Sequence, residues 1–197
     1  MRHFKLIALA AFVVAGTAFA QENMIENAGF EDGVMEPWSV YGAAAANIVK
    51  NDAHSGDYAL KIDIPAPGAN FWDSGLQYKP AGVIFEDGID YTWAFFAKSD
   101  PPVEINIKPE LAVDPWTAHG EKRAFLTEEY QEFWTEWTVP APVNPASLTL
   151  HIQFDQASLW FDDARWYEGA YEPFGGEPQS VDPNGKAAAT WASLKAQ

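Results

Sequence analysis

Between Asn23 and Glu168 nearly every strong pattern in the sequence has a period of two, and this periodicity constrains the fold more than any other feature. Ala59-Leu60-Lys61-Ile62-Asp63-Ile64 alternates apolar and polar residues, as do Val103-Glu104-Ile105-Asn106-Ile107-Lys108 and Leu148-Thr149-Leu150-His151-Ile152-Gln153-Phe154-Asp155. In a strand, successive side chains point to opposite faces, so each run builds a sheet with one buried and one polar face. Tyr91-Thr92-Trp93-Ala94-Phe95-Phe96-Ala97-Lys98 puts Tyr91, Trp93, Phe95 and Ala97 on one side, which reads as core. Pro65 to Gly68 and Asp87-Gly88 break the runs as turns. Strands separated by such punctuation predict an all-β sandwich over residues 21–168. Within the last strand, Leu159 to Tyr167, the pair Asp162-Asp163 interrupts the alternation, as a bulge or a bound ligand would.

The two ends of the chain have a different character. Arg2, His3 and Lys5 precede an apolar stretch from Leu6 to Val14 and a small-residue Ala18-Phe19-Ala20, the pattern of a signal peptide over residues 1–20, cut after Ala20. The stretch falls short of the about 20 apolar residues that a membrane-spanning helix needs. The expectation is a secreted or periplasmic chain without membrane insertion. Residues 169–185 hold Pro173, Pro178 and Pro183 with Gly175 and Gly176, the composition of a linker. Residues 186–197 have helical propensity, with Trp191 and Leu194 on one face, and read as a short helix that docks on a protein partner.

Charge and residue usage remove several function classes. The chain carries 28 acidic against 12 basic residues, a net charge of −16. Nucleic acid and anionic lipid are bound through clustered Lys and Arg, so neither is a partner. Neutral or cationic ligands suit the surface better. With no cysteine, disulfides, thiolate catalysis and Cys-ligated zinc are all excluded. Nine Trp, seven Tyr and thirteen Phe make a heavy aromatic load, and a surplus beyond the core points to a binding face.

Three short segments share one scheme: Asn27-Ala28-Gly29-Phe30-Glu31, His54-Ser55-Gly56-Asp57-Tyr58-Ala59-Leu60 and Trp160-Phe161-Asp162-Asp163-Ala164. A carboxylate at each end, with a Ser-Gly turn between, suggests that the first and last strands meet around an oxygen-lined site suited to a hard cation such as calcium. Together with Pro37-Trp38 after the first segment, and Gly88-x-x-Tyr91-Thr92 opening a strand that ends Ala97-Lys98, these motifs resemble the carbohydrate-binding modules of the family 4/9 (CenC) type. The resemblance covers about Asn23 to Glu168 and implies a galactose-binding-domain-like jelly roll. It also implies a structural calcium where the chain ends meet, held by Glu31, by the Ser55-Gly56-Asp57 turn, and by Asp162 or Asp163. The alternative is that Glu31 caps a turn and the acidic pair is a solvated bulge.

The same resemblance implies a glycan groove across the concave sheet. Sugars present apolar C–H faces and hydroxyls, so such a groove combines rings with amide, carboxylate and imidazole groups. The candidates are Trp72, Gln77, Phe96, Asn106, Trp116, His151, Gln153 and Asp155, with Asn70 to Tyr78 as a wall and Trp116 as a platform on a loop. Against these, Trp38 and Trp72 would pack under loops, and His151 would be an ordinary exposed histidine. Trp134 and Trp137, three apart, fall on opposite faces of a strand.

A glycoside hydrolase needs two carboxylates roughly 5–9.5 Å apart. Asp73, Glu104, Glu136 and Asp155 are candidates, although 28 acidic residues make accidental pairs expected. There is no Gly-x-Ser-x-Gly elbow and no His-Glu-x-x-His. The reading is therefore non-catalytic binding of a glycan chain, neutral rather than anionic. A small jelly-roll hydrolase or lyase, and a structural or adhesion module of an exported assembly, are the alternatives.

Overall fold

The computed structural model describes residues 22–176. The expected signal peptide (1–20) and C-terminal helix (186–197) lie outside the described residues. Ten strands follow one another: β1 (Trp38–Tyr41), β2 (Ala45–Lys50), β3 (Tyr58–Ile64), β4 (Gly75–Tyr78), β5 (Asp90–Asp100), β6 (Val103–Leu111), β7 (Lys122–Leu126), β8 (Gln131–Thr138), β9 (Ala146–His151) and β10 (Ala157–Glu168). They form two five-stranded sheets, β1-β4-β9-β6-β7 and β2-β3-β10-β5-β8. Every pairing is antiparallel. This is the expected jelly-roll sandwich. Its last two strands, β9 and β10, each occupy the middle of a sheet.

The alternation read from the sequence becomes the core between the sheets. Tyr91, Trp93, Phe95 and Ala97 of β5 are buried together with Leu60, Ile62 and Ile64 of β3 and with Ile105 and Ile107 of β6. Trp38 is not under a loop but in the centre, its ring 5.0 Å from those of Tyr78 and Phe161 and 6.1 Å from that of Phe30. Trp137 is buried among Phe85 and Tyr91, whereas Trp134, on the opposite face of β8, remains partly exposed. Each large ring removes roughly 150–250 Å² of surface from water, so this cluster is a main source of stability in a chain without disulfides.

The two ends of the sandwich meet along β10. Met24 N donates to Trp166 O at 2.8 Å, Asn23 Nδ2 to Ala164 O at 2.9 Å, and Ala164 N to Ala28 O at 3.0 Å. Asp162-Asp163 is a bulge: the register of β10 on β5 shifts between Asp162 and Arg165, and Asp163 has a φ of 47°. After β10, residues 169–176 of the expected 169–185 linker turn back over the second sheet, and residues 177–185 lie outside the described residues. Glu132 ion-pairs with Arg165, accepts from Tyr171 Oη at 2.9 Å and accepts from Phe174 N at 3.1 Å. The Tyr171 ring stacks on Trp134 at 4.0 Å.

Candidate functional site

The outer face of the first sheet is polar but largely buried. Gln77 of β4, Ser147, Thr149 and His151 of β9, and Asn106 and Glu110 of β6 all lie on this face and are buried. Their strands stand side by side, with Gln77 opposite Thr149, Asn106 opposite His151 and Glu110 opposite Ser147. Two loops cover this floor, leaving a cavity of about 660 Å³ between them. One loop brings Phe71 and Trp72, the other Pro115, Trp116 and Ala118. Trp72 and Trp116 keep 50% and 44% of their surface in solvent, an expense for large rings that the fold itself does not require.

Local chemistry explains how each wall is held. Gly42 has a φ of 82°, and a Cβ there would sit 2.1 Å from Asp73 O, so only glycine lets the β1–β2 turn approach the Trp72 loop. Ser74 Oγ accepts from Ala43 N at 2.8 Å and donates to Gln153 Oε1 at 2.5 Å, tying three segments together. Tyr41 Oη donates to Trp72 O at 3.3 Å. Burial, with Glu110 and Asp73 nearby, raises the Tyr41 phenol well above its ordinary value, so it stays a donor. Across the cavity, Trp116 sits at a φ of 56° and its N–H donates to Val113 O at 2.7 Å. Lys108 Nζ donates to Trp116 O at 2.9 Å and lies 2.7 Å from Glu110.

Of the eight residues read as glycan contacts, Trp72, Gln77, Trp116 and His151 line this cavity. Asn106 lies behind His151, fully buried. Gln153 is a strut, bonded to Ser74 and to Ala66 O. Asp155 is exposed in the turn after β9, where its carboxylate accepts from Gln156 N at 2.8 Å, and it does not line the cavity. Phe96 is a correction: β5 belongs to the other sheet, and its ring stacks on His54 at 3.5 Å. Alternation gave the right face of the strand but not which sheet carries it.

Tyr41, Lys79, Glu110 and Glu121 also line the cavity and were not anticipated. Glu110 had a signal, because it continues the parity of Glu104, Asn106 and Lys108 beyond Pro109. Tyr41 had none in its four-residue strand.

A second cluster joins the chain ends. Glu31 accepts from Asp57 N at 3.1 Å and from Tyr58 N at 3.2 Å. Asp162 Oδ2 accepts from His54 N at 2.8 Å and Ser55 N at 3.2 Å, while Asp163 meets His54 Nδ1 at 2.6 Å and Ser55 Oγ at 2.9 Å. Around Gly29, a Cβ would lie 3.5 Å from Asp163 Oδ1, 3.6 Å from Asp162 Oδ1 and 4.0 Å from Glu31 Cγ. The Asp57 carboxylate is turned out toward Lys50, at 3.8 Å. Burial and then the Asp163 charge push Asp162 up to about 6, the state of a buried carboxylate short of positive charge. Oxygen donors around such a group are the chemistry that a hard cation takes. Among the described residues no three acidic or histidine side chains form a metal cage by themselves, so main-chain oxygens would have to complete one.

A jelly-roll sandwich with two half-exposed tryptophans lining one cavity over a hydrogen-bonding floor is the architecture of a carbohydrate-binding domain. A family model with the description "Carbohydrate binding domain", that of families 4 and 9, matches residues 22–159. The chain belongs to this family and is a binding module rather than an enzyme. Among solved structures it is similar to the N-terminal cellulose-binding domain of Cellulomonas fimi β-1,4-glucanase C, with 21% identity, a TM-score of 0.54, and 73% of this chain and 95% of that one covered. The CBM22-1 xylan-binding domain of a Paenibacillus barcinonensis protein gives 13%, 0.61, 77% and 97%. TmCBM61, solved with β-1,4-galactotriose, gives 20%, 0.54, 75% and 99%. No protein of curated function matches the sequence.

Proposed function

We propose that the cavity on the first sheet holds a neutral glycan chain, stacked on Trp72 and Trp116 and hydrogen-bonded by Gln77, His151 and Tyr41. The observation that carries this is the charge balance of the lining: Lys79 and Lys108 stand against Glu110 and Glu121, and Lys108 is paired with Glu110. A floor without net charge gives a uronate or sulfate nothing to offset its desolvation. The similar domains named for cellulose, xylan and β-1,4-galactotriose support β-linked neutral polymers as the ligand class. Affinity electrophoresis against neutral and uronate-bearing polysaccharides tests it. Retardation by neutral gels alone is the expected result, and retardation only by acidic ones would overturn it.

The second cluster is proposed to bind calcium, with Asp162 and Glu31 as side-chain ligands; the burial of Asp162 beside the Asp163 carboxylate supports this. A cation bound only to the folded state stabilises it by mass action, so the melting temperature should rise with calcium and fall in chelator. Identical melts would discard the site. Export through the signal peptide, and docking of the C-terminal tail on a protein partner, complete the proposal. Amino-terminal sequencing of the secreted protein checks the cut after Ala20, and pull-downs with and without residues 186–197 check the tail.

A further inference from the structure

Behind the cavity floor, one amide lies between two side chains. Asn106 is fully buried on β6; its Nδ2 donates to Glu121 Oε1 at 2.9 Å and lies 3.3 Å from His151 Nδ1. Turning the amide over would press its oxygen against the Glu121 carboxylate, so the nitrogen faces both neighbours. Both amide hydrogens are then used, and Asn106 Oδ1 is left buried with no partner. Facing an N–H donor, Nδ1 of His151 has to be the lone-pair nitrogen. A neutral imidazole carries its one proton on the other nitrogen. Nε2 has no hydrogen bond among the described residues, and the ring lines the cavity beside Phe71.

We propose that Asn106 does not touch the glycan but is a positioning residue: it holds His151 in the neutral Nε2–H form, so that the imidazole meets the ligand only as a donor. The ligand must then offer a lone pair at this point, as a hydroxyl or ring oxygen of a neutral sugar does. The inference rests on the groove reading and deepens it.

The surroundings favour the same state. Lys108 on β6 and Arg123 on β7 oppose a charge on the ring, Glu121 favours one, and β4 sets only the uncharged Gly75 directly opposite. Burial is the largest influence and lowers the histidine to about 4. The device therefore works unchanged from neutral pH into mild acid. An imidazolium would set a second donor against the Asn106 amide.

Long-range proton–nitrogen NMR of the ¹⁵N-labelled chain reads the tautomer directly. In the wild type, His151 should show a protonated Nε2 and an unprotonated Nδ1 from pH 8 to 5; a protonated Nδ1 in that range overturns the proposal. Asn106→Asp replaces the donor with an acceptor, which draws the proton to Nδ1 and moves the ring titration upward. Its affinity for a neutral oligosaccharide that the wild type binds should fall about tenfold and become pH-dependent, while the wild type stays within about twofold from pH 5 to 8. Asn106→Leu, which brings no new charge, should lose a similar factor without the pH dependence, and thermal melts confirm that each variant folds. Unchanged affinity in both folded variants refutes the positioning role. A wild type with the expected tautomer but no affinity for any neutral glycan refutes the groove reading and the positioning role together, while leaving the ring assignment intact.

Discussion

Replacing Trp72 with alanine tests the site most directly, because the cost can be worked from exposure. A tryptophan presents up to about 250 Å², and Trp72 leaves 50% in solvent, so roughly 125 Å² awaits a ligand. A sugar ring covers between half and all of that. At about 25 cal/mol per Å² the contact is worth about 1.5–3 kcal/mol, or roughly tenfold to a hundredfold in Kd. Trp116, at 44%, should cost a little less. The two rings stand on different loops, so their effects should add on a logarithmic scale and the double variant should bind almost nothing. Titration calorimetry on a neutral oligosaccharide measures the loss, and thermal unfolding shows whether the fold is spared, as half-exposed loop residues predict. Both single variants binding within twofold of wild type would refute the stacking argument. A matching fall in melting temperature would show that the rings serve the fold instead.

Three further outcomes follow from other parts of the molecule. Gly42→Ala forces a side chain into left-handed backbone 2.1 Å from Asp73 O; a loss of about 2 kcal/mol, or ~4–8 °C in Tm, is expected together with weaker glycan binding, since the displaced loop carries Trp72. Glu132→Ala should destabilise by about 1.5–3 kcal/mol in urea unfolding because it removes the buried carboxylate that partly exposed Arg165, Tyr171 Oη and Phe174 N share, whereas Glu132→Leu with Arg165→Met should recover part of that loss. His151→Gln should change the pH dependence of stability. With the folded histidine at about 4 and the unfolded one near 6.5, only the unfolded chain gains a proton between those values. The wild type should therefore lose up to about 3 kcal/mol relative to the variant as pH falls from 7 to 4 in denaturant titrations, and a constant difference would contradict the burial of the ring.

The sandwich and its core were legible because burial on one face imposes alternation, as Tyr91, Trp93 and Phe95 show. Face and sheet are separate questions, however. Parity put Phe96 and Asn106 on outward faces, but only the long-range order of strands separates the first onto the far sheet and leaves the second under the groove. Glu110 was hidden by Pro109, which reads as the end of a strand. The Pro109 carbonyl accepts from His119 N on the side away from β9, so the missing N–H also falls outside that ladder and β6 continues. Tyr41, at the end of β1, and Glu121, just before β7, reach the cavity through tertiary contact, which local pattern does not encode.

The central position of the last two strands governs when this molecule can exist at all. Until residues after Ala146 are free, β4 has no β6 to reach through β9, and β3 has no β5 to reach through β10. A chain emerging from its amino end is thus two sets of unjoined half-sheets, each with a long loop closure still ahead of it. Assembly waits for the last two of the ten strands and then completes both sheets together. A truncation only a few strands short would leave neither a smaller domain nor half a groove, but a chain with open strand edges and a strong tendency to aggregate.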